Sequence, residues 1–388
     1  AWLLLIIYAR RYRMAVFREI YMLPQITQKR GIQMEVFKAL EERDYEQVVF
    51  NYDKVSGLKS IIVIHNTTLG PALGGARMWP YKSEEEALTD ALRLARGMTY
   101  KSAAMGLGLG GGKSVIIGDP AKDKSEELFR AFGKFIDTLG GRYITAEDVG
   151  TTTDDMEVIR TATEHVVGLA GTSGNPSPVT AFGVFRAMEA CVAEVFGDES
   201  LSGRKVVVQG VGNVGYFLIE DLLKAGAKVY AADIFPDKVQ KAVELGAEAI
   251  PVEEVFDIEC DIFAPCALGG VINDETVERL KAKIVCGSAN NQLLEERHAL
   301  ALAKRNILYA PDFVANGGGV INVASELAPG GYNRDWALNK VSKIYDTLAS
   351  IFRIAKEQGI GTNEAANKLS EDRIEKALAQ KRIYVSPK

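Results

Sequence analysis

The chain has 388 residues, 47% of them hydrophobic and 25% charged, with a formal net charge of −5. This composition is typical of a globular protein with a large core, and the length favours two domains. The acidic balance argues against nucleic acid as a partner, and four cysteines without a Cys-x-x-Cys pair argue against a metal site or a disulfide framework. We therefore expect no metal, and free thiols in a reducing compartment, the cytoplasm.

The first 33 residues differ from the rest of the chain. They hold six Lys or Arg and one acid, and their apolar stretch from Trp2 to Tyr8 is far shorter than the ~20 residues that span a bilayer. Such a segment is typical of a targeting presequence or of a region upstream of a misplaced start, since Met34 begins a credible helix. We interpret residues 1–33 as lying outside the fold and expect no membrane as a partner.

The first folded half is predicted to run from residue 34 to residue 170. Residues 47–50 and 60–64 are rich in β-branched side chains, which favours strands. Ser83 followed by Glu86 is a capping-box pattern that predicts the start of a helix. A second helix is predicted over residues 125–139, because Gly140 and Gly141 follow it as a stop signal.

A glycine-rich run over residues 106–112 precedes Lys113 and an apolar, strand-like segment at 115–117. A phosphate-binding loop would need glycine at position 107 and a helix afterwards, so Leu107 and the strand exclude it. Two interpretations remain for Lys113. It is either a solvated lysine on a glycine turn or a buried lysine, whose charge is readily lost, suited to base chemistry.

The second half, over residues 171–330, has a more regular pattern. Short apolar strands are predicted at 205–209, 228–232, 248–251, 261–264, 283–286 and 307–310, with helices between them. This alternation predicts a doubly wound parallel sheet, and hence an α/β protein of two domains. Beyond it, residues 335–380 are predicted to form two helices broken at Gly359 and Gly361.

A dinucleotide site is predicted where the first of these strands ends. The pattern Gly-x-Gly-x-x-Gly follows the strand and opens a helix, and an acid, Asp233, ends the next strand. A carboxylate there accepts hydrogen bonds from ribose hydroxyls and repels a 2′-phosphate, which favours NAD over NADP. The alternative for Asp233 is a solvated residue at a strand end. The predicted cofactor-binding residues are Gly210, Val211, Gly212, Asn213, Val214, Gly215 and Asp233.

Long segments in consistent order carry a family resemblance. They are residues 67–75, 97–101, 110–113, 144–151, 173–180, 264–268, 287–292 and 318–323. From about residue 34 onwards the chain resembles the amino-acid dehydrogenases that act on glutamate, leucine, phenylalanine and valine, and among them the leucine enzymes. The resemblance implies a substrate-binding and oligomerisation domain (34–170), a Rossmann NAD domain (171–330) and C-terminal helices (331–388) that brace the first domain. It also implies a homo-oligomer, usually an octamer.

The same resemblance implies roles for individual residues. Lys113 becomes the catalytic lysine, Asp148 the proton-transfer carboxylate, and Lys101 the ligand of the substrate α-carboxylate. Gly74 and Gly75 would let the backbone approach that carboxylate, and Thr180 and Asn290 would contact the nicotinamide. Without the resemblance, Lys101 would be interpreted as a surface lysine and Asp148 as a turn residue.

The substrate follows from the side-chain pocket that the resemblance implies, whose walls are Leu73, Ala146, Val320 and Val323. All four are apolar, so the distal carboxylate of glutamate would be buried unpaired at a cost of several kcal/mol. Ala146 and Val320 favour branched aliphatic substrates over phenylalanine, whose enzymes carry glycine and leucine there. Leucine, isoleucine and valine differ by only about 1–3 kcal/mol. We expect L-leucine, with activity on the other two.

Three alternatives stay open at this level. A valine or phenylalanine dehydrogenase of the same family would share the motifs. A non-catalytic NAD-binding regulator would predict damage to the catalytic positions, yet Lys101, Lys113 and Asp148 are present. An enzyme acting on a hydroxy acid would use a histidine base, and none of the three histidines lies in a catalytic-looking motif.

Overall fold

The computed structural model describes residues 35–380 and divides the chain into two units, residues 1–42 and 43–388. Within the first unit a single-turn helix, α1 (Val36–Glu41), follows the residue predicted to begin a helix. The interpretation of residues 1–33 lies outside the described residues, as does the end of the predicted C-terminal segment at 381–388.

The first half of the second unit contains a five-stranded sheet. Its strands are β1 (Gln47–Tyr52), β2 (Lys59–Asn66), β3 (Ala72–Trp79), β4 (Gly110–Ile117) and β5 (Tyr143–Glu147). They lie in the order β1-β2-β4-β3-β5, antiparallel along β1, β2 and β4 and parallel along β4, β3 and β5. The strands predicted at 47–50 and 60–64 are confirmed and extend further at their ends.

Three helices accompany this sheet, namely α2 (Glu84–Ala104), α3 (Glu126–Asp137) and α4 (Thr153–Arg160). The predicted cap of α2 is confirmed, because Ser83 Oγ accepts a hydrogen bond from the Glu86 amide at 3.1 Å. The Glu86 carboxylate, however, accepts from the Lys82 amide at 2.7 Å rather than from that of Ser83. The helix continues to Ala104 and therefore carries Lys101 in its last turn.

The last three glycines of the run, Gly110, Gly111 and Gly112, belong to strand β4, whereas Gly106 and Gly108 lie before it. A Cβ on Gly111 would collide with the backbone of Thr99 in α2, and a Cβ on Gly112 would collide with the ring of Tyr143 in β5. Glycine is thus needed where a helix and a neighbouring strand approach β4 closely. Because β4 lies between β2 and β3, Lys113 is carried into the interior of the molecule.

The second half contains a six-stranded sheet, as predicted, with β6 (Lys205–Gln209), β7 (Lys228–Ala232), β8 (Glu248–Ala249), β9 (Cys260–Pro265), β10 (Ala282–Val285) and β11 (Leu308–Tyr309). Every pairing is parallel, in the order β11-β10-β9-β6-β7-β8. The strand order reverses between β6 and β9, and this is where ligands bind in doubly wound sheets. Its helices are α5 (Ser177–Phe196), α6 (Asn213–Lys224), α7 (Pro236–Leu245), α8 (Asp274–Arg279), α9 (Arg297–Lys304), α10 (Asp312–Ala315) and α11 (Gly318–Ala324).

The C-terminal segment forms three helices, so the prediction of two was wrong. They are α12 (Arg334–Ser342), α13 (Ile344–Gln358) and α14 (Thr362–Gln380). The break at Gly359 is confirmed, with a left-handed φ of 64°. The unpredicted break is at Lys343, beside Ser342, whose Oγ donates to the Asn339 carbonyl at 2.7 Å. No glycine or proline marks this position, so the sequence carried no signal for it.

The last helix packs against the end of α2 that carries Lys101. Ser370 Oγ donates to the carbonyl of Tyr100 at 3.2 Å, and the Arg373 guanidinium donates to the carbonyl of Ala103 at 2.8 Å. A cation that binds the last carbonyls of a helix stabilises that end. None of the helices within residues 35–380 combines the length and apolar composition needed to cross a membrane.

Candidate active site

Most of the predicted site residues line one cavity of about 690 Å³. It receives side chains and backbone from the ends of β3, β4 and β5 and from α5, α6, α11 and the loop after β10. Predicted residues that line it are Leu73, Gly74, Gly75, Lys101, Lys113, Ala146, Asp148, Thr180, Asn213, Val214, Asn290, Val320 and Val323. The resemblance therefore selected residues that folding brings together from distant parts of the chain.

Lys113 is buried, with 4% of its surface exposed. This burial excludes the interpretation of Lys113 as a solvated lysine on a glycine turn. Its Nζ lies 2.8 Å from Oδ1 of Asp148, just past the end of β5. Burial lowers the pKa of Lys113, and Arg77 lowers it further, while the charge of Asp148 opposes the shift. The site thus contains a lysine whose proton is held less tightly than in water.

Asp148 contacts a second cation that the sequence analysis missed. Arg77, on β3, donates from Nε to Asp148 Oδ2 at 2.8 Å. Burial alone would raise the pKa of Asp148, but the charges of Lys113 and Arg77 and their hydrogen bonds hold it at about 2. Asp148 is therefore an anion at neutral pH. A half-buried arginine in a strand needs a carboxylate partner, but its burial is known only from the structure, so the sequence carried no signal for Arg77.

Lys101 is half-buried at the end of α2, where its Nζ lies 3.4 Å from Oδ1 of Asn290 in the loop after β10. Burial lowers its pKa to about 8, against the attraction of Asp312, and Lys113 adds to the lowering. With this pKa, Lys101 is fully protonated only at pH values below the mildly alkaline range.

Asn316 is a further polar residue of the cavity that the sequence analysis did not select. Its side chain is buried, and its Nδ2 donates to Asn290 Oδ1 at 2.8 Å and to the Ser288 carbonyl at 3.1 Å. Among the described residues no donor reaches Asn316 Oδ1. A buried acceptor of this kind costs free energy unless a ligand or a water molecule in the cavity supplies the donor. The sequence signal that could have pointed to Asn316 was its position directly before three glycines.

Gly74 and Gly75 line the cavity, but the immediate need for glycine comes from the sheet. A Cβ on Gly74 would overlap the carbonyl oxygen of Gly112, and a Cβ on Gly75 would contact that of Glu147. The Gly74 carbonyl accepts a hydrogen bond from the Tyr143 hydroxyl at 2.5 Å. β3 lies between β4 and β5 and packs closely on both, which places the backbone of Gly74 and Gly75 at the wall of the cavity.

One wall of the cavity is apolar, as predicted. Leu73, Ala146 and Val320 are at least 92% buried, and Val323 is half-buried beside them. Met98, from α2, also lines the cavity, although the sequence analysis did not name it. A ligand side chain at this wall would meet hydrocarbon rather than charge.

The glycine loop after β6 has the geometry expected of a dinucleotide site. Gly210 has a left-handed φ of 103°, and a Cβ on Gly215 would overlap the Gly210 carbonyl oxygen, so α6 packs directly on the loop. A Cβ on Gly212 would point into open space in front of the helix N-terminus. Amides of the first helical turn are therefore accessible to an anion such as pyrophosphate.

Asp233 lies at the end of β7, as predicted, and is half-buried rather than fully solvated. Its carboxylate accepts hydrogen bonds from the amide of Val211 at 2.8 Å and from that of Phe235 at 3.0 Å. It therefore also holds the glycine loop. Thr180, in the first turn of α5, donates from Oγ1 to the Pro176 carbonyl at 2.9 Å and faces the cavity.

Comparison with known proteins agrees with the fold. The family model for the dimerisation domain of Glu/Leu/Phe/Val dehydrogenases matches residues 45–165, and the model for glutamate/leucine/phenylalanine/valine dehydrogenases matches residues 171–233 and 236–385. A leucine dehydrogenase from Thermoactinomyces intermedius is 60% identical over 88% of this chain and 94% of its own.

Other relatives are named for different substrates. A phenylalanine dehydrogenase from Caldalkalibacillus thermarum is 50% identical over 89% of this chain and 95% of its own. The crystal structure of L-tryptophan dehydrogenase from Nostoc punctiforme superposes with a TM-score of 0.79 at 46% identity, covering 88% of this chain and 99% of that one.

The fold, the paired lysine and carboxylate and these relatives define an amino-acid dehydrogenase. The chain belongs to the glutamate/leucine/phenylalanine/valine dehydrogenase family, and the predicted resemblance is confirmed over nearly all of residues 45–385. The predicted fold class is confirmed as well. The domain boundaries and the roles of individual residues stay predictions.

Proposed function

We propose that the protein catalyses the reversible, NAD-dependent oxidative deamination of L-leucine and other branched-chain L-amino acids to 2-oxo acids and ammonia. One observation carries the proposal. A buried lysine with a lowered pKa, Lys113, is paired with Asp148 at 2.8 Å in a cavity that has an apolar wall. This arrangement supplies a base beside space for an aliphatic side chain.

NAD, when bound, would accept the hydride that leaves the substrate Cα. The residues present fit this group, because the glycine loop leaves the amides at the start of α6 open and Asp233 ends β7. The cofactor-binding roles of residues 210–215 and of Asp233, Thr180 and Asn290 rest on this fit and on the family resemblance. The Asp233 carboxylate would also repel the 2′-phosphate of NADP.

The substrate amino group and carboxylate would meet opposite charges. Lys101 would bind the α-carboxylate, together with the backbone at Gly74 and Gly75. The ammonium group would donate to Asp148 and to the unsatisfied Oδ1 of Asn316. These contacts would hold Cα in one orientation, which is the main requirement for hydride transfer.

Lys113 would act on the water that attacks the iminium left on the substrate. In its neutral form it removes a proton from that water, so that a carbinolamine forms at Cα. Asp148 would take a proton from the substrate amino group and return it to the nitrogen that leaves as ammonia. Because Lys113 and Arg77 favour its anionic form, Asp148 would hold that proton only transiently.

The apolar wall supports a branched aliphatic substrate. Leu73, Val320 and Val323 offer contacts to methyl groups, while a distal carboxylate would be buried there without a cation. Phenylalanine is the leading alternative substrate, because a relative that is 50% identical is named a phenylalanine dehydrogenase. A hydroxy-acid substrate is disfavoured, because none of His65, His165 and His298 is among the described residues that line the cavity.

The test is NADH formation with L-leucine, L-isoleucine, L-valine, L-phenylalanine, L-tryptophan and L-glutamate at mildly alkaline pH. Fast reduction of NAD with leucine and none with glutamate is the expected result. A clear preference for phenylalanine or tryptophan would contradict the assignment of the apolar wall. Binding of NAD without reduction on any amino acid would contradict the enzymatic function.

We also infer a homo-oligomer in the cytoplasm. β1 is an edge strand with Phe50 59% and Tyr52 63% exposed, within the segment that matches the family's dimerisation domain. Apolar side chains on an open sheet edge favour pairing with another chain. Light scattering on the purified protein would give the subunit number, for which an octamer is expected and a monomer would contradict the inference.

A further inference from the structure

We propose that Arg77 is a positioning residue that orients the Asp148 carboxylate and keeps Lys113 available as a free base. This role extends beyond the contacts assigned to substrate and cofactor, and its kinetic test rests on the proposed function. Arg77 lies on β3, two residues after Gly75, so the strand that forms the cavity wall also carries the guanidinium.

The two oxygens of Asp148 are each used by a different cation. Lys113 Nζ is 2.8 Å from Oδ1, and Arg77 Nε is 2.8 Å from Oδ2. A carboxylate held at both oxygens cannot rotate, so Oδ1 stays directed at the lysine. Without Arg77, the carboxylate could turn and offer both oxygens to Lys113, which would stabilise the protonated lysine.

Arg77 is itself held by a second carboxylate, that of Asp90. Its Nη1 donates to Asp90 Oδ2 at 2.9 Å, and the Tyr81 hydroxyl donates to the same oxygen at 2.8 Å. Arg93 contacts the other oxygen, Oδ1, at 3.2 Å. The guanidinium therefore spans two carboxylates, which a lysine at this position could not do with the same geometry.

The charges around Lys113 come from three elements. Asp148 after β5 attracts its proton, and Asp90 on α2 does so more weakly. Arg77 on β3 repels that proton, and Lys101 on α2 is a second cation coupled to Lys113. Of these groups, Arg77 alone both repels the Lys113 proton and contacts Asp148 directly. Its removal should therefore raise the pKa of Lys113.

The experiment is the pH dependence of kcat/KM for L-leucine in the wild type, Arg77→Gln, Arg77→Lys and Asp90→Asn. In Arg77→Gln the acidic limb of the kcat/KM profile should move to higher pH by about one unit. Arg77→Lys retains the charge but not both contacts, so its limb should stay near the wild-type position while turnover falls. Asp90→Asn should move the limb slightly downward, since it removes a negative charge and leaves Arg77 less neutralised.

Arg93→Gln is the matched control, because Arg93 contacts Asp90 but not Asp148 and is 58% exposed. Its acidic limb should coincide with that of the wild type. An Arg77→Gln limb at the wild-type pH, or an equal shift in Arg93→Gln, would overturn the proposal. If Arg77→Gln does not fold, Asp90→Asn still tests the proposal, because its acidic limb is expected to shift to lower pH.

A second readout needs no turnover. Reaction of the Lys113 amine with acetic anhydride at increasing pH, followed by peptide mass spectrometry, reports its protonation directly. Its midpoint should rise in Arg77→Gln by the same shift. If the wild type oxidises no amino acid while this midpoint still rises, the proposed function fails and the role of Arg77 stands. An unchanged midpoint would overturn the role of Arg77.

Discussion

Lys101 and Asn290 are 189 residues apart in sequence, yet Lys101 Nζ lies 3.4 Å from Asn290 Oδ1 at the cavity. The contact joins the last turn of α2 to the loop after β10, so it joins the two halves of the chain. It holds the lysine with a single amide oxygen, which the carboxylate of the proposed substrate would replace with a stronger contact between opposite charges.

The first prediction concerns the pH dependence of substrate binding. The pKa of Lys101 is lowered to about 8, so its positive charge is present below that pH and is lost above it. We expect the KM for the 2-oxo acid in the reductive direction to rise as pH increases beyond about 8. The oxo acid has no titrating amine, which makes it the appropriate ligand. Lys101→Arg should give a KM that stays flat with pH, and a rising KM in this variant would contradict the assignment.

Replacing Lys113 tests the proposed base. Lys113→Ala should lower kcat by about 10²–10⁴-fold, because the attack of water on the iminium loses its base. The affinity for NAD, measured by titration calorimetry, should not change, since the glycine loop lies outside the contacts of Lys113. Equal losses of turnover and NAD affinity would instead indicate misfolding.

Asp148→Asn should destabilise the fold as well as the reaction. The substitution leaves Lys113 and Arg77 close together without their anion, at a cost of about 3 kcal/mol near neutral pH. The folded pKa of about 2 is below the ordinary value of 3.8, so the contribution of Asp148 is present above about pH 4 and is lost as pH falls towards 2.

Urea unfolding of the wild type and Asp148→Asn at several pH values measures this difference. The gap between the two free energies of unfolding should narrow in acid. It should also narrow at alkaline pH, where Lys113 loses its proton and no longer needs a counter-charge. A gap independent of pH would show that packing, rather than charge, accounts for the loss.

The apolar wall predicts how specificity can be changed. Ala146 is 8% exposed and lines the cavity, so Ala146→Gly enlarges the space by one methyl group. The ratio of kcat/KM for phenylalanine to that for leucine should rise about tenfold. Ala95→Gly is the control, because Ala95 is fully buried in α2 and does not line the cavity. A similar change of ratio in the control would point to a general loosening of the fold.

Cofactor choice should depend on Asp233. Asp233→Asn removes the charge that would repel a 2′-phosphate, and the ratio of kcat/KM for NADP to that for NAD should rise at least about tenfold. Asparagine keeps one oxygen to accept from the Val211 amide, so the glycine loop should retain part of its support. An unchanged ratio would mean that another group excludes the phosphate.

Local sequence was sufficient for the elements whose signals lie within a few residues. The strand before Gly210, the helix that contains Gly215 and the acid at Asp233 follow from short-range patterning, and all three lie where the pattern predicts. The Ser83 cap is of the same kind. In each case the physical cause, a turn, a cap or a strand end, is contained in the segment itself.

Arg77 and Asn316 were missed because their contacts are with partners remote in sequence. Arg77 meets Asp148 after 71 residues and Asn316 meets Asn290 after 26, through sheet register and loop packing that a single sequence does not reveal. The break at Lys343 was missed for a related reason, since it carries none of the residues that usually end a helix.

Sequence alone determined the doubly wound sheet, the glycine loop and the family resemblance, because these depend on hydrophobic periodicity and on residue types at fixed short spacings. The tertiary structure alone decided that Lys113 is buried, that Asp148 is shared between two cations and that Lys101 has a pKa of about 8. Burial and charge pairing are properties of the three-dimensional surroundings of a group. They arise only when β3, β4 and the end of β5 are placed side by side.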